Sequence, residues 1–207
     1  TGADTLTGNS LNNSITGGKG ADTINGKPGF DTIIEQADAD FVLSNPTLKI
    51  NAETDMLLSI ESAQLTGGTS TNFINAFAFT GATILNGGDG ADLITGGSGF
   101  NRLIGGGGDD DLEGGTGFDI FEFDVDEALG SDTVTDFGGL DIFDFSKTSS
   151  VGIEVDVGNI AQQVVHANLR LTLAADNLID VVIGGEKADV LRGNGLNNIF
   201  LAGAGDD

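Results

Sequence analysis

The chain has 207 residues, 39% of them hydrophobic, enough to bury a core in one or two domains. Against 32 Asp and Glu stand only 8 Lys and Arg, a formal net charge of -24, and Gly contributes 34 residues. A surface this negative repels phosphate, which argues against nucleic acid and anionic membrane as partners and leaves a cation as the natural one. There is no Cys, so disulfide and thiolate chemistry are excluded, and no apolar run approaches the roughly 18 residues of a membrane span. Acidity of this degree often means disorder. Here, however, the aliphatic residues and 13 Phe are spread evenly, and most acids recur at fixed offsets from Gly.

In chain order, residues 1–34 hold a partial block ending at Thr7, then GNSLNNSIT from Gly8, GGKGADTIN from Gly17 and GKPGFDTII from Gly26. Residues 35–66 lose this frame. Their runs FVLS, LKI and LLSIESAQL alternate like short strands, with a turn at Ser44-Asn45-Pro46. The frame returns across 67–122 as GGTSTNFIN from Gly67, and from Gly87 as four consecutive nonamers, GGDGADLIT, GGSGFNRLI, GGGGDDDLE and GGTGFDIFE. Between them, Ala76 to Asn86 occupies eleven residues where nine would fit, which predicts a bulged coil. Residues 123–183 form a second, larger β insertion. Only Ile160 to Val165 could make even a short helix there. Residues 184–207 resume the frame as GGEKADVLR, GNGLNNIFL and a truncated AGAGDD, so the sequence reads as a piece of something longer.

These blocks resemble the G-G-x-G-x-D-x-U-x nonapeptide of the RTX (repeats-in-toxin) family, a calcium-binding β-helix repeat. The resemblance implies an all-β parallel β-roll of RTX repeats, interrupted by the two β-strand insertions, with several calcium ions as cofactors. The chemistry suits the spacing. Glycine permits positive φ and close backbone approach, so positions one to six can form a tight turn with converging carbonyls. The carboxylate at six closes a site for a hard cation that takes six to eight oxygens. Positions seven to nine make a very short strand with residue eight inward: Leu6, Ile15, Ile24, Ile33, Ile74, Ile94, Leu103, Leu112, Phe121, Leu191 and Phe200. Such a core is too thin to offset the backbone entropy alone, so folding is expected to depend on ion binding.

In the family, two nonamers make one coil and each ion lies between turns stacked on the same side. Carried over by position, this pairs Asp4 with Asp22, Asn13 with Asp31, Asp92 with Asp110, Asn101 with Asp119 and Asp189 with Asp207. Asp92 with Asp110 has the fullest glycine set, with the carbonyls of Gly88, Gly90, Gly106 and Gly108 as further ligands. Gly18, Gly20, Gly97, Gly99, Gly115 and Gly117 hold the same places in neighbouring turns. Asn at 13, 72, 101 and 198 keeps an oxygen but loses a charge. The start of the second insertion resembles the D-x-I-x-D-F…D-x-I-D-L segment that caps the roll in RTX proteases, which adds Asp132, Asp136, Asp141 and Asp144 as metal candidates.

Leu48-Lys49-Ile50…Ile60-Glu61…Gly67-Gly68 and Leu169-Arg170-Leu171…Ile179-Asp180…Gly184-Gly185 look alike, as if a larger unit occurs twice. No catalytic centre is expected: His166 is the lone histidine, and HExxH, GxSxG and Walker A motifs are absent. The expected function is a calcium-binding structural module that folds outside the cell, where calcium sites of about 10⁻⁴–10⁻³ M affinity fill. Its setting would be a large secreted or surface adhesin-like repeat protein, with neighbouring domains and a cell-surface or matrix partner. The other reading is the carboxy-terminal secretion and chaperone module of a type I-exported enzyme, such as a protease or lipase.

Overall fold

The computed structural model describes residues 2–176 and 178–207, and among them it contains no helix. The chain winds so that each coil lays one strand in each of two sheets. β1 (Thr5–Thr7) and β2 (Ser14–Ile15) make the first coil, and β3 (Thr23–Asn25) and β4 (Thr32–Gln36) the second. β5 (Phe41–Ser44), β6 (Thr47–Ile50), β7 (Glu53–Leu58) and β8 (Ser62–Thr66) follow. Next come β9 (Phe73–Ala78) with β10 (Ala82–Asp89), β11 (Leu93–Thr95) with β12 (Phe100–Gly107), and β13 (Asp111–Glu113) with β14 (Phe118–Glu122). The remaining strands are β15 (Gly130–Thr135), β16 (Ile142–Asp144), β17 (Glu154–Asp156), β18 (Gln163–His166), β19 (Leu169–Leu173), β20 (Val181–Ile183), β21 (Val190–Arg192) and β22 (Ile199–Leu201).

The first sheet runs β1, β3, β7, β6, β5, β9, β11, β13, β15, β19, β18, and the second β2, β4, β8, β10, β12, β14, β16, β20, β22. β17 and β21 form a separate parallel pair. Successive coils pair in parallel, and only the insertions bring in antiparallel neighbours. The fold is therefore an all-β parallel β-roll with strand insertions.

The core follows from register. Because side chains alternate across a strand, every second residue faces the opposite sheet. Ile74, Ile94, Leu112, Val134 and Leu173 align in the first sheet, and Leu65, Leu85, Leu103, Phe121, Phe143 and Val182 in the second, all buried. Phe121, Phe123, Phe143 and Phe145 pack together in edge-to-face and stacked pairs, which thickens the core where the second insertion begins. Phe200 departs from its expected inward place and is 41% exposed, on a strand at the edge of the second sheet. Glu122, expected to face outward, is buried beneath Arg102 and Lys147, with Lys147 Nζ 2.6 Å from its Oε1.

Both insertions use one device. In the first, β5, β6 and β7 form an antiparallel meander in which β7 pairs with β3 behind it and β5 with β9 ahead of it. The first sheet thus gains two strands, about 10 Å at the spacing of neighbouring strands, while β4, β8 and β10 stay adjacent in the second sheet. In the second, β19 pairs with β15, β18 returns antiparallel to β19, and β17 pairs with β21 of the next coil. Here Gln163–His166 is a strand rather than the short helix considered for Ile160 to Val165. The structural correspondence is also shifted from that suggested by sequence. Leu48 lies on β6, whereas Leu169 lies on β19, whose counterpart is β7. Ile60 and Ile179 do correspond, each leading into the strand that rejoins the second sheet.

Candidate metal centres

The residues at position six are joined by a repeated contact. In each turn the backbone N–H of this residue donates to a carboxylate oxygen of its counterpart one coil on. Asp92 N donates to Asp110 Oδ1 at 2.8 Å across 18 residues, Asp4 N to Asp22 Oδ1 at 2.7 Å, Asn13 N to Asp31 Oδ1 at 2.7 Å and Asp189 N to Asp207 Oδ1 at 3.0 Å. The step lengthens where the coil does: Asn72 N reaches Asp92 Oδ1 across 20 residues, and Asp110 N reaches Asp132 Oδ1 across 22.

Asp189 uses both of its oxygens, accepting from the Ile153 and Gly185 N–H groups, whereas most of the other carboxylates use only one. The other, Oδ2 of Asp22, Asp31, Asp55, Asp92, Asp110, Asp119 and Asp141, is buried without a hydrogen-bond partner, as is Oδ1 of Asp136. Buried polar atoms are rarely left so. The orphan oxygens of Asp22, Asp31, Asp92, Asp110, Asp119 and Asp136 turn into space left by a glycine at position one. A Cβ on Gly87 would run into Asp92 Oδ2 and lie 2.6 Å from the Gly105 carbonyl oxygen; one on Gly105 would meet Asp110 Oδ2. Around this space Gly88, Gly90, Gly106 and Gly108 adopt φ of 101°, 117°, 104° and 140°, as do Gly18 and Gly20 at 79° and 129° and Gly115 and Gly117 at 108° and 146°.

Asp119, Asp136 and Asp141 form the tightest group, offering three carboxylate oxygens within 4.8 Å of one another, all on buried residues. Asp119 N donates to Asp141 Oδ1, which places Asp141 at position six of the next coil, while Asp136 enters from the end of β15. Asp144 stands apart: it is half-buried on β16 and its Oδ1 accepts the Ser146 N–H. It joins none of these groups.

Asn101 also departs from expectation. Its Oδ1 is held by the Gly97 N–H at 3.0 Å and the Thr83 hydroxyl at 2.8 Å, which turns its Nδ2 into the turn. Nδ2 there faces four oxygens: Asp119 Oδ1 at 2.7 Å, Gly99 O at 3.0 Å, and Gly97 O and Gly114 O at 3.3 Å. An amide has two hydrogens for these four acceptors. Asn101 thus presents a donor where its neighbours present an orphan oxygen, and Gly97 and Gly99 do not share the positive φ of the equivalent glycines.

Three acids outside the nonamer frame continue the ladder. Asp22 N donates to Asp55 Oδ1 across 33 residues, Asp31 N to Glu61 Oε2 across 30, and Asp141 N to Asp180 Oδ2 across 39. Asp55-Met56-Leu57-Leu58 and Asp180-Val181-Val182-Ile183 keep the D-x-U-x ending of the repeat, a signal that was there to be found.

Burial sets the electrostatics. It raises the carboxyls of Asp110 and Asp119 to about 6 and that of Asp132 to about 8, with neighbouring acids adding to the effect. Burial followed by the charge of Asp136 raises Asp141, and burial also raises Asp92 and Asp55. Burial thus makes ionisation of these carboxyls costly, and a cation between them would offset that cost. Calcium fits the donor set, which is all oxygen, anionic and accompanied by backbone carbonyls.

Fold and site together define a calcium-binding β-roll. Residues 1–33, 86–121 and 175–207 match the RTX calcium-binding nonapeptide repeat in four copies, so these segments, about half of the chain, belong to the RTX family. The chain is a calcium-binding repeat module, and such repeats bind several ions. No curated protein sequence matches it. Among solved structures it is similar to the extracellular lipase LipA from Serratia marcescens, at 17% identity and a TM-score of 0.34, over 86% of this chain. The chain spans 38% of that protein's length.

Proposed function

We propose that this chain is a structural module of a larger secreted or surface repeat protein, one that folds where extracellular calcium fills its turns. The observation that carries this reading is the row of buried, unpartnered Oδ2 atoms stacked coil upon coil. Asp92 and Asp110 hold the best-supplied ion, with backbone carbonyls of Gly88, Gly90, Gly106 and Gly108. Asp4 with Asp22 repeats the arrangement; Asn13 with Asp31 and Asp189 with Asp207 make weaker sites, because an oxygen of Asn13 and one of Asp189 already accept the N–H groups of Asn9 and Gly185; and Asp119, Asp136 and Asp141 hold another ion with Gly115 and Gly117 in the adjoining turn. Calcium supplies positive charge that lets the stacked carboxylates stay ionised. The repetition of the insertion device, with nonamers resuming after each, favours an extended adhesin-like repeat protein over a terminal secretion module.

The test is an ion count by native mass spectrometry. Asp110→Asn is expected to remove one calcium or more and to weaken the remaining binding about tenfold. Asn101→Asp is expected to do the reverse. It exchanges the amide facing Asp119 and three carbonyls for an anion, so the variant gains one calcium over the parent protein. An unchanged count in Asp110→Asn sinks the assignment of the Asp92–Asp110 site. An unchanged count in Asn101→Asp would show that the Asn101 amide is not what keeps an ion out of this turn.

A further inference from the structure

We infer that a further calcium site lies where the first insertion meets the roll, built by Asp22, Asp55 and Glu35 around Gly17. The inference rests on the reading that the stacked carboxylates bind calcium, and it adds a site to which no nonamer points. Counting one coil of 18 residues from Asp22, as in the neighbouring rung, leads to Asp40. The coil is interrupted there, and the residue that accepts the Asp22 N–H is Asp55, at 2.8 Å. Asp22 and Asp55 are each 1% exposed, and each keeps one buried carboxylate oxygen, Oδ2, without a partner.

Glu35 supplies the third side. It is 5% exposed at the far end of β4, in register with Leu65, and so displaces an apolar residue from the core row. Its Oε1 accepts the N–H groups of Gly17 and Gly18 at 2.6 and 3.1 Å. A Cβ on Gly17 would lie 2.9 Å from Asp22 Oδ2 and 3.4 Å from Glu35 Oε1. The glycine therefore leaves a space lined by oxygens of both acids. The three carboxylates do not converge as closely as those of Asp119, Asp136 and Asp141, so holding one ion would draw Glu35 and Asp55 in towards Asp22.

Glu35 also lines a cleft of about 660 Å³ between the Gly18–Lys19 turn and the insertion, with Asp38 and Glu53 among its other walls, which gives a path from solvent. Burial and the charges of Asp55 and Asp22 together raise the Glu35 carboxyl, so the three acids act on one another. A carboxylate buried against two others is costly unless a cation joins them. An ion here would fasten the β5–β7 meander to the roll, since Asp55 sits on β7 and Glu35 near the end of β4.

The test uses the full chain and calcium alone. Native mass spectrometry counts the ions, and hydrogen exchange follows the amides of Glu53–Leu58 in calcium. Glu35→Gln keeps the side-chain length and the oxygen that accepts from Gly17 and Gly18, so the fold is expected to persist with one ion fewer. Asp55→Asn should lose the same single ion, and the double variant no more than one. Exchange at Glu53–Leu58 should quicken about tenfold or more in each. If Glu35→Gln keeps the parent count, or the double variant loses two ions, the shared site is refuted. Should Asp110→Asn lose an ion while Glu35→Gln does not, only this site fails. A parent protein that binds none would overturn the calcium reading as a whole.

Discussion

Moved from about 10⁻³ M calcium into excess chelator near neutral pH, the protein is expected to lose most of its β-sheet circular dichroism. The buried carboxylates then face one another without a cation, in a chain of net charge -24. Acid should restore part of the signal. The carboxyls of Asp110, Asp119 and Asp132 have folded-state pKa values of about 6, 6 and 8, above the ordinary 3.8 of the unfolded chain, so the folded chain binds their protons more tightly. Their contribution to apo stability is full below 3.8 and is lost as pH rises through 6 and then 8. Chelated protein titrated from about pH 8 towards 4 should therefore regain structure. In calcium the sign is opposite, because protons compete for the ligand oxygens and release the ion. A chelated chain with an undiminished β signal at pH 8, or one that gains nothing on acidification, would contradict this coupling.

The second large effect is expected at a single glycine. Gly106 has φ of 104°, and a Cβ there would strike the carbonyl oxygen of Gly88 in the coil before. Gly106→Ala combines backbone strain with a rigid collision and should cost about 3 kcal/mol or more. In a stacked array that loss falls first on the neighbouring coils. Its neighbour Gly107 provides the control. A Cβ there would come no closer than 3.2 Å, to the movable carboxylate of Asp89, with ordinary φ, so Gly107→Ala should stay within about 0.5 kcal/mol of the parent. Calcium-loaded thermal melts of the two variants decide the matter. Equal midpoints would show that the turns are not held in the described conformation.

How much could be read from the sequence depended on whether the spacing survived. Asp92 and Asp110 were legible because two unbroken nonamers separate them, and the structure joins them by the expected coil step. Asp55, Glu61 and Asp180 were not, since the meanders put 33, 30 and 39 residues between partners that touch. Sequence distance stops measuring coil distance once strands are inserted in one sheet and not in the other. Asn101 was illegible for another reason. An asparagine offers an oxygen or a donor, and which one turns inward is fixed by the Thr83 hydroxyl from the preceding coil. In the sequence Glu35 is only the first residue of the segment that loses the nonamer frame. It takes the backbone amides of Gly17 and Gly18 to explain an acid in that place.

The hydrogen bond that links successive position-six residues always runs one way, from the amide of the earlier coil to the carboxylate of the later one. The stack therefore has a polarity, and its two ends are chemically unlike. A coil at the leading edge offers a carboxylate that water can solvate, whereas a coil at the trailing edge leaves an amide waiting for an acceptor. As the chain winds, each turn is completed by the one after it, so a growing roll is always unfinished at its carboxyl-terminal face.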